Sequence, residues 1–180
     1  KCTCAHPKNT LILMMDLIRP FHDDDDIERI TDVIHKGYAV LAVNGLRFWG
    51  THQSAKDTLD RLNKGAGFVA VLDGVIVGTV TIRPPDPESE VEFYRHPTTW
   101  ILNQFAVLPE HAGKGIGRAL HDHAVTHAMQ KGATRVALDT ANAAEHLIAM
   151  YKRWGYAVVG TCDWRPFTNY ESVVMLRTLI

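Results

Sequence analysis

The sequence lacks the features that mark membrane-spanning or nucleic-acid-binding proteins. Among its 180 residues, Lys plus Arg total 19 and Asp plus Glu total 20, and a net charge of -1 argues against a protein that grips nucleic-acid phosphates. The longest early apolar run, residues 11–15, is interrupted by Asp16 and is far shorter than the roughly 20 residues of a membrane helix. We therefore expect neither a nucleic-acid partner nor a membrane partner.

Cysteine is scarce as well. Cys2, Cys4 and Cys162 cannot all pair with one another and form no disulfide framework, which favours a reducing, cytoplasmic location. Cys2, Cys4 and His6 form a C-x-C-x-H group, but no second ligand pair follows at zinc-finger spacing, so we expect no metal. Residues 1–10 are expected to form a flexible segment ahead of a single domain over residues 11–180.

The hydrophobic pattern predicts a mixed α/β (α+β) fold around one sheet rather than a regular βαβ series. Four aspartates at residues 23–26 mark the start of the first helix, Gly37 is expected to end it, and Asp73-Gly74 predicts a tight hairpin turn. Strands are predicted at residues 11–19, 68–72, 75–82, 99–107, 135–139, 156–160 and 172–178. Helices are predicted at residues 27–36, 51–64, 115–131 and 143–154, with a proline-rich loop over residues 84–97.

Residues 103–120 carry the chemistry. A predicted strand runs to Val107, Pro109 ends it, and glycines at positions 113, 115 and 117 open a helix. Glycines let a ligand approach the backbone, and the N–H groups of residues 112–118 then converge at a helix N-terminus. With Lys114 and Arg118 beside them, these groups favour a phosphate or pyrophosphate ligand.

Two familiar nucleotide motifs do not fit this turn. A P-loop requires Lys-Ser or Lys-Thr after its second glycine, which is absent here. A dinucleotide-binding turn requires G-x-G-x-x-G, whereas the spacing here is G-x-G-x-G. Phosphotransfer from ATP and nicotinamide chemistry are therefore disfavoured.

The run V-x-P-x-x-x-G-x-G-x-G-R-A-L, residues 107–120, resembles the acyl-CoA-binding motif of the GNAT superfamily of N-acyltransferases. Residues 139–142 and 149–156 resemble that family's second motif. The resemblance implies a mostly antiparallel central sheet flanked by about four helices, a splay between two central strands, and acetyl-CoA as co-substrate. One departure is Ala112, where the family usually has Arg or Gln, so we expect modestly weaker pyrophosphate binding.

The resemblance also implies roles for particular residues. Asn142 would hydrogen-bond the pantetheine arm, and Tyr151 would donate a proton to the departing CoA sulfur. A phenol with a pKa near ~10 can protonate a thiolate whose conjugate acid lies near ~8.5. The backbone that would pair with the arm comprises Phe105, Ala106 and Val107, and the amides that would hold the pyrophosphate belong to Ala112, Gly113, Lys114, Gly115, Ile116, Gly117 and Arg118.

The acceptor is expected to be a primary amine of a small molecule or peptide that attacks directly in a ternary complex. No general base is identified by the sequence. Asn103 is placed to hold a water, whereas Glu90 and Glu92 are either bases or amine anchors, or solvated loop charges. Trp49 and Trp164 lie in aromatic loops that either select the substrate or cap the sheet edge.

Several alternatives stay open at this point. Ala112 and the missing base are compatible with a non-catalytic acyl-CoA-binding module, and a homodimer through the sheet or the aromatic loops is not excluded. The histidines at positions 121, 123 and 127 lack an H-E-x-x-H context and are expected at the surface or rim of their helix.

Overall fold

The computed structural model describes residues 17–42 and 45–179. The strands are β1 (Ile18–Pro20), β2 (Ala66–Leu72), β3 (Val75–Arg83), β4 (Thr99–Val107), β5 (Arg135–Ala141), β6 (Ala157–Asp163) and β7 (Glu171–Thr178). The helices are α1 (Ile27–Ala42), α2 (Ala55–Leu62), α3 (Glu92–Arg95), α4 (Ile116–Gln130) and α5 (Glu145–Arg153). The predicted strand over residues 11–16, the segment 1–10 and the C-x-C-x-H group lie outside the described residues.

The seven strands form one sheet in the order β1-β2-β3-β4-β5-β7-β6. Every neighbouring pair is antiparallel except β4 and β5, which are parallel. The expected mixed, mostly antiparallel sheet is confirmed. Four helices have eight or more residues, and α3 adds a single turn inside the segment expected to be a loop.

The parallel strands β4 and β5 separate halfway along their length. Their pairing ends at Ile101 and Ala137, although β4 continues to Val107 and β5 to Ala141. The unpaired halves form the expected splay, which opens the middle of the sheet. The splay leaves backbone N–H and C=O groups of β4 free to bind another extended chain.

The first helix begins where the aspartates predict. Asp26 accepts a hydrogen bond from the Arg29 N–H at 3.0 Å, and Asp25 holds the Arg19 guanidinium through both carboxylate oxygens. Carboxylates there stabilise the helix because they meet its unpaired N–H groups and positive dipole end.

The prediction that Gly37 ends α1 is wrong, because the helix continues to Ala42. A Cβ at Gly37 would lie 3.0 Å from the Cβ of Ala106 and 3.2 Å from the Val107 carbonyl oxygen. The glycine therefore allows α1 to pack closely against β4. That requirement is a long-range contact, which the local pattern does not reveal.

The second helix starts later than predicted, at Ala55 rather than at residue 51. Ser54 caps it, since its hydroxyl accepts from the Asp57 N–H at 3.1 Å while Asp57 accepts from the Ser54 N–H at 2.8 Å. This reciprocal pair is a capping box, and it fixes the helix start.

The prediction of surface histidines on α4 is wrong for His121. Its side chain is fully buried, with Nε2 2.9 Å from the Tyr156 hydroxyl and Nδ1 2.8 Å from Asp122 Oδ1. His123 and His127 are partly buried and contact the edge of Phe68. None of the helices in the described residues combines the length and apolar character needed to cross a membrane.

Candidate active site

A cavity of about 1020 Å³ occupies the splay between β4 and β5 and the space above it. Its floor is formed by the bulged half of β4, one wall by the loop before α4 together with α5, and the other wall by α1 and α2. Among the residues predicted from the sequence, those lining it are Trp49, Asn103, Phe105, Val107, Ala112, Gly113, Gly115, Gly117, Arg118, Tyr151 and Trp164.

The N-terminus of α4 presents a run of unpaired backbone donors to this cavity. The first N–H bonded to a helix carbonyl is that of Ala119, which donates to Gly115 at 3.0 Å. Within the described residues, the six preceding N–H groups, those of residues 113–118, donate to no backbone carbonyl. Six consecutive free donors at the positive end of a 15-residue helix form a binding site for an anion.

Glycine is required at two positions of this turn. Gly113 and Gly115 have φ angles of 74° and 85°, in the left-handed region that other residues rarely adopt. A Cβ at Gly117 would make ordinary contact with the Phe105 ring, 3.4 Å away on the cavity side of the helix. The unusual backbone path therefore depends on Gly113 and Gly115, and Gly117 leaves that space open to a ligand.

Three of the predicted binding residues do not line the cavity with their side chains. Ile116 is buried in the core, Ala106 packs beneath α1, and Lys114 is exposed on the loop. A role for Ala106 and Ile116 therefore rests on their backbone groups. Arg118 lines the cavity and is held by Asp122 at 2.7 Å and by the Trp154 ring at 5.3 Å.

A bulge in β4 forms the centre of the cavity floor. The register with β3 shifts between Thr79 and Thr81, and Gln104 has a φ of 48°. Its buried side chain accepts a hydrogen bond from Gln53 Nε2 at 2.6 Å, and Gln53 Oε1 in turn accepts from Arg61 at 2.8 Å. A bulge of this kind turns backbone groups away from the ladder, here toward the cavity.

Tyr151 lies on the α5 wall, and its ring is buried with 7% exposure. Burial raises the pKa of its hydroxyl well above 10, with smaller contributions from Tyr38, Tyr156 and Asp139. The phenol is therefore fully protonated at neutral pH. Leu147 and Trp154 lie four residues before and three residues after Tyr151, so they share its helix face, and both also line the cavity.

No local sequence signal marks Asp139 as functional, yet this carboxylate lies in the splay and lines the cavity. Oδ1 accepts from the Tyr94 hydroxyl at 2.8 Å, and Oδ2 accepts from Trp164 Nε1 at 2.9 Å. Burial, followed by the charge of Asp139, raises the pKa of Tyr94 well above 10. Asp139 therefore gives the cavity a fixed anionic group on the opposite strand from Asn103.

Asn103 lies on the bulged half of β4 and lines the cavity. Within the described part of the chain, its Oδ1 atom is buried and accepts no hydrogen bond. An unsatisfied buried acceptor is unfavourable unless a ligand or water supplies a donor. The site is therefore suited to a ligand with an N–H or O–H group.

Two aromatic loops cover the mouth of the cavity. Trp49 contacts Phe167 at a ring distance of 4.8 Å, and Phe48 contacts Tyr170 at 4.9 Å. Asn169 ties the loops together by accepting from the Arg47 N–H at 2.7 Å and donating to the Gly45 carbonyl at 2.8 Å. Trp49 and Trp164, which are expected either to select the substrate or to cap the sheet edge, both line the cavity.

Three predicted residues lie apart from the cavity. Asn142 is exposed beyond the end of β5, and Glu92 is exposed at the start of α3. Glu90 borders a separate, smaller cavity of about 180 Å³ together with Cys162. The single turn of α3 directs the two glutamates away from the splay, so the structure does not bring them to the bulge.

Comparison with known proteins agrees with this geometry. The acetyltransferase (GNAT) family matches residues 35–156, which is more than half of the chain. The chain belongs to the GNAT acetyltransferase family. It is therefore an acyltransferase that uses acetyl-CoA as co-substrate.

Two characterised relatives share moderate identity with this family member. S-(2-succino)cysteine N-acetyltransferase from Bacillus subtilis (strain 168) is 30% identical over 141 residues, covering 77% of this chain and 82% of that protein. Mycothiol acetyltransferase from Propionibacterium freudenreichii is 28% identical over 148 residues, covering 77% of this chain and 42% of that protein.

Solved structures share the fold at lower identity. Ard1 from Thermoplasma volcanium has a TM-score of 0.69 at 17% identity, covering 91% of this chain and 97% of its own. A GNAT acetyltransferase from Elizabethkingia anophelis with acetyl-CoA bound has a TM-score of 0.63 at 17% identity, covering 90% and 97%. Within the described residues of the present chain, no group of three or more His, Cys, Asp or Glu side chains could hold a metal ion.

Proposed function

We propose that the protein is an N-acetyltransferase that moves the acetyl group of acetyl-CoA to a primary amine of a small molecule or peptide. The observation that carries this proposal is the run of six free N–H groups at residues 113–118 beside the separated strands β4 and β5. The free N–H groups at the N-terminus of α4 can bind the diphosphate of acetyl-CoA. The unpaired backbone groups of β4 can form hydrogen bonds with the amides of its pantetheine arm.

The residues of this chain that line the cavity supply the groups such a donor needs. Lys114 and Arg118 add positive charge to the free N–H groups of the glycine turn. The backbone of Phe105 and Val107, released from β5, is free to pair with the pantetheine arm. Ala112 contributes no side-chain cation, and the binding is carried by the backbone.

Tyr151 is proposed as the general acid. When bound, the donor supplies an acetyl carbon attached to a sulfur leaving group. The neutral amine forms a C–N bond to that carbon, the C–S bond breaks, and the sulfur takes the Tyr151 proton. The nitrogen then loses its extra proton, which returns to the Tyr151 phenolate directly or through water, so the amide, the thiol and the neutral phenol result. The phenol is protonated at neutral pH, so a proton is available when the thiolate forms, although the burial that raises the pKa of Tyr151 also opposes its transfer.

The acceptor must lose one proton before it attacks. A lysine-like amine with a pKa of about 10.4 is neutral in roughly one molecule in 2500 at pH 7, a deficit of about 4.6 kcal/mol. We assign Asp139 as the carboxylate that draws the ammonium group into the splay, where the amine gives its proton to water. The unpaired Oδ1 of Asn103 accepts a hydrogen bond from the amine.

Direct attack in a ternary complex is supported by the placement of the one cysteine in the described residues. Cys162 borders the smaller cavity rather than the splay. Burial, together with the charge of Asp139, raises the pKa of this thiol to about 12. A thiol that stays protonated is a poor nucleophile, so an acyl-cysteine intermediate is disfavoured.

The names of the two relatives support a small-molecule acceptor. One is named for N-acetylation of S-(2-succino)cysteine, and the other is named a mycothiol acetyltransferase. We also propose a cytoplasmic location, since a reducing compartment keeps Cys162 as a free thiol. A homodimer through an exposed sheet edge or the aromatic loops remains a proposal, tested by the mass of the protein in solution.

An acceptor screen tests the proposed function. The protein is incubated with acetyl-CoA and a panel of polyamines, aminoglycosides, amino acids and peptides, and thiol release is followed. We expect amine-dependent release above the rate with acetyl-CoA alone. Calorimetric binding of CoA without release in the presence of any amine would contradict the proposal and favour a non-catalytic acyl-CoA-binding module.

A further inference from the structure

The cavity wall formed by α1 and α2, called the acceptor wall below, contains a cation. Neither the fold nor the proposed chemistry explains why this cation is there. Arg61, on α2, lines the cavity and is partly buried. Within the described residues, its one hydrogen bond goes from Nη1 to the neutral Gln53 amide oxygen at 2.8 Å, and no carboxylate lies within ion-pair distance. A guanidinium has five N–H donors, so most of its donors are free.

These free donors face the cavity rather than being sealed in protein. The buried polar atoms without a partner in the described residues include arginine nitrogens of Arg135 and Arg177 but none of Arg61. Gln53 links Arg61 to the bulge on the cavity floor, because it accepts a hydrogen bond from the Arg61 guanidinium and donates one to Gln104. A ligand at the bulge is therefore within reach of Arg61.

The acidic side chains around Arg61 are engaged elsewhere. Asp57 accepts from the Ser54 N–H and hydroxyl, and Asp60 pairs with Lys56. Asp86 pairs with Arg83 at 3.0 Å, which is a second cation lining the cavity. The exposed Lys64 lines the cavity as well, so three cations and three carboxylates line this corner. Among the described residues, Arg61 is the partly buried cation of this corner that has no ion pair.

Asp139 lines the same cavity from the β5 side, in the splay. Its charge raises the pKa of Arg61, while burial, the largest influence, lowers it. Aromatic residues of the two loops that contain Trp49 and Phe167 also line the cavity. The cavity therefore contains a guanidinium without an ion pair in the described residues, a carboxylate on another strand, and apolar surface.

We propose that Arg61 binds a carboxylate of the acceptor, so that the substrate class is amines that also carry a carboxylate, such as amino acids and their S- or N-linked derivatives. This inference rests on the proposed acceptor site and deepens it. The guanidinium fork matches a carboxylate in a two-point hydrogen-bonded pair, and such pairs are most favourable in partly desolvated sites. The amine of the same molecule is then directed toward Asp139 and the bulge.

The test compares binding of matched probes that differ only at the carboxylate. L-phenylalanine and L-methionine are each compared with their primary carboxamides on the CoA-saturated protein, by ligand-observed NMR titration. We expect the free acids to bind at least tenfold more tightly. Replacing the carboxylate with a carboxamide lowers the pKa of the neighbouring amine, so more of the amine is neutral and reactive. Chemistry alone would therefore make the carboxamide the faster acceptor. Faster thiol release with the free acid would have to come from recognition of the carboxylate.

Two variants and a control separate recognition from folding. In Arg61→Gln the preference for the acid should fall below threefold, whereas Arg61→Lys should retain part of it. Arg95→Gln, at an exposed arginine outside the cavity, should retain it in full. CoA affinity, measured on every variant, should stay unchanged, which shows that the protein is folded.

Equal or tighter binding of the carboxamides, no binding of either form, or a preference that survives Arg61→Gln would overturn the proposal. These outcomes are independent of the acetylation assay. A preference for the acid that depends on Arg61 supports the inference even if no thiol is released, in which case the proposed transfer reaction, and not the carboxylate site, has failed.

Discussion

Gln53 and Gln104 join the acceptor wall to the cavity floor through a 2.6 Å hydrogen bond between Nε2 and Oε1. Both side chains are buried, with exposures of 1% and 2%. Gln104 also holds a positive φ of 48°, which is unusual for a residue other than glycine. The pair holds the bulge in β4, where its register with β3 shifts. The proposed chemistry depends on this bulge because it forms the centre of the cavity floor.

Replacing Gln104 with alanine should destabilise the protein by about 1–3 kcal/mol, because the Gln53 amide would lose a buried partner. Chemical denaturation measures this loss. The double variant Gln53→Ala/Gln104→Ala should lose less than the sum of the two single variants, since the pair acts as a unit. Additive effects would contradict a coupled pair.

The glycine turn can be tested at Gly113, where a Cβ meets no other atom within 4 Å. Gly113→Ala should destabilise the protein by about 1–2 kcal/mol through the positive φ alone. It should also weaken CoA binding about tenfold, or ~1.4 kcal/mol, because the free N–H groups shift direction.

Gly132→Ala provides the matched control at the other end of α4. Gly132 has a φ of 90° and equally open surroundings, but it does not line the cavity. This variant should lose a similar amount of stability and keep its CoA affinity in a calorimetric titration. Equal weakening of CoA binding by both variants would show that the effect is general rather than local to the turn.

Tyr151→Phe should lower turnover by roughly 10²–10⁴-fold, the usual contribution of a general acid, and leave CoA binding unchanged. Tyr156→Phe is the control, because that hydroxyl bonds to His121 and does not line the cavity. The control should lose about 1 kcal/mol of stability and retain turnover per folded molecule. Unchanged turnover in Tyr151→Phe would remove Tyr151 as the acid.

Part of this site follows from the sequence because its signals are local. The glycines, Pro109 and the following helical pattern specify a strand, a break and a helix N-terminus within 20 residues, and β4 has the predicted bounds 99–107. The Asp73-Gly74 turn joins β2 and β3 as predicted, with positive φ at both residues. In each case, the residues that determine the structure are neighbours in the chain.

The rest depends on contacts between distant segments. Arg61 and Gln104 are 43 positions apart in the sequence numbering, and both bond to Gln53 only because α2 packs beside the bulge. Gly37 resembles a helix end until β4 is placed against it, and His121 resembles a surface residue until Tyr156 covers it. No local pattern distinguishes Asp139 from an aspartate that merely lies near the end of a strand.

The buried His121 should make stability depend on pH. Burial lowers its pKa in the folded state, although Asp122 opposes the shift. The unfolded chain therefore binds a proton, near pH 6.5, that the folded chain does not, so stability falls as the pH drops below about 6.5, by up to ~1.4 kcal/mol per pH unit.

His52, His123 and His127 also have pKa values lowered by burial and add to the same trend. Urea denaturation at several pH values between 7.5 and 5 should show a smaller slope for His121→Gln than for the unchanged protein. Identical slopes would mean that His121 is protonated equally in both states.

The central claim is that the free amides of residues 113–118 and the open edge of β4 together bind the acyl donor. A crystal structure of the protein with coenzyme A tests it most directly. The account predicts the diphosphate against the amides of that turn and the pantetheine arm between β4 and β5, with its sulfur near Tyr151. A diphosphate bound elsewhere, or a splay that stays closed to the arm at saturating coenzyme A, would contradict the account.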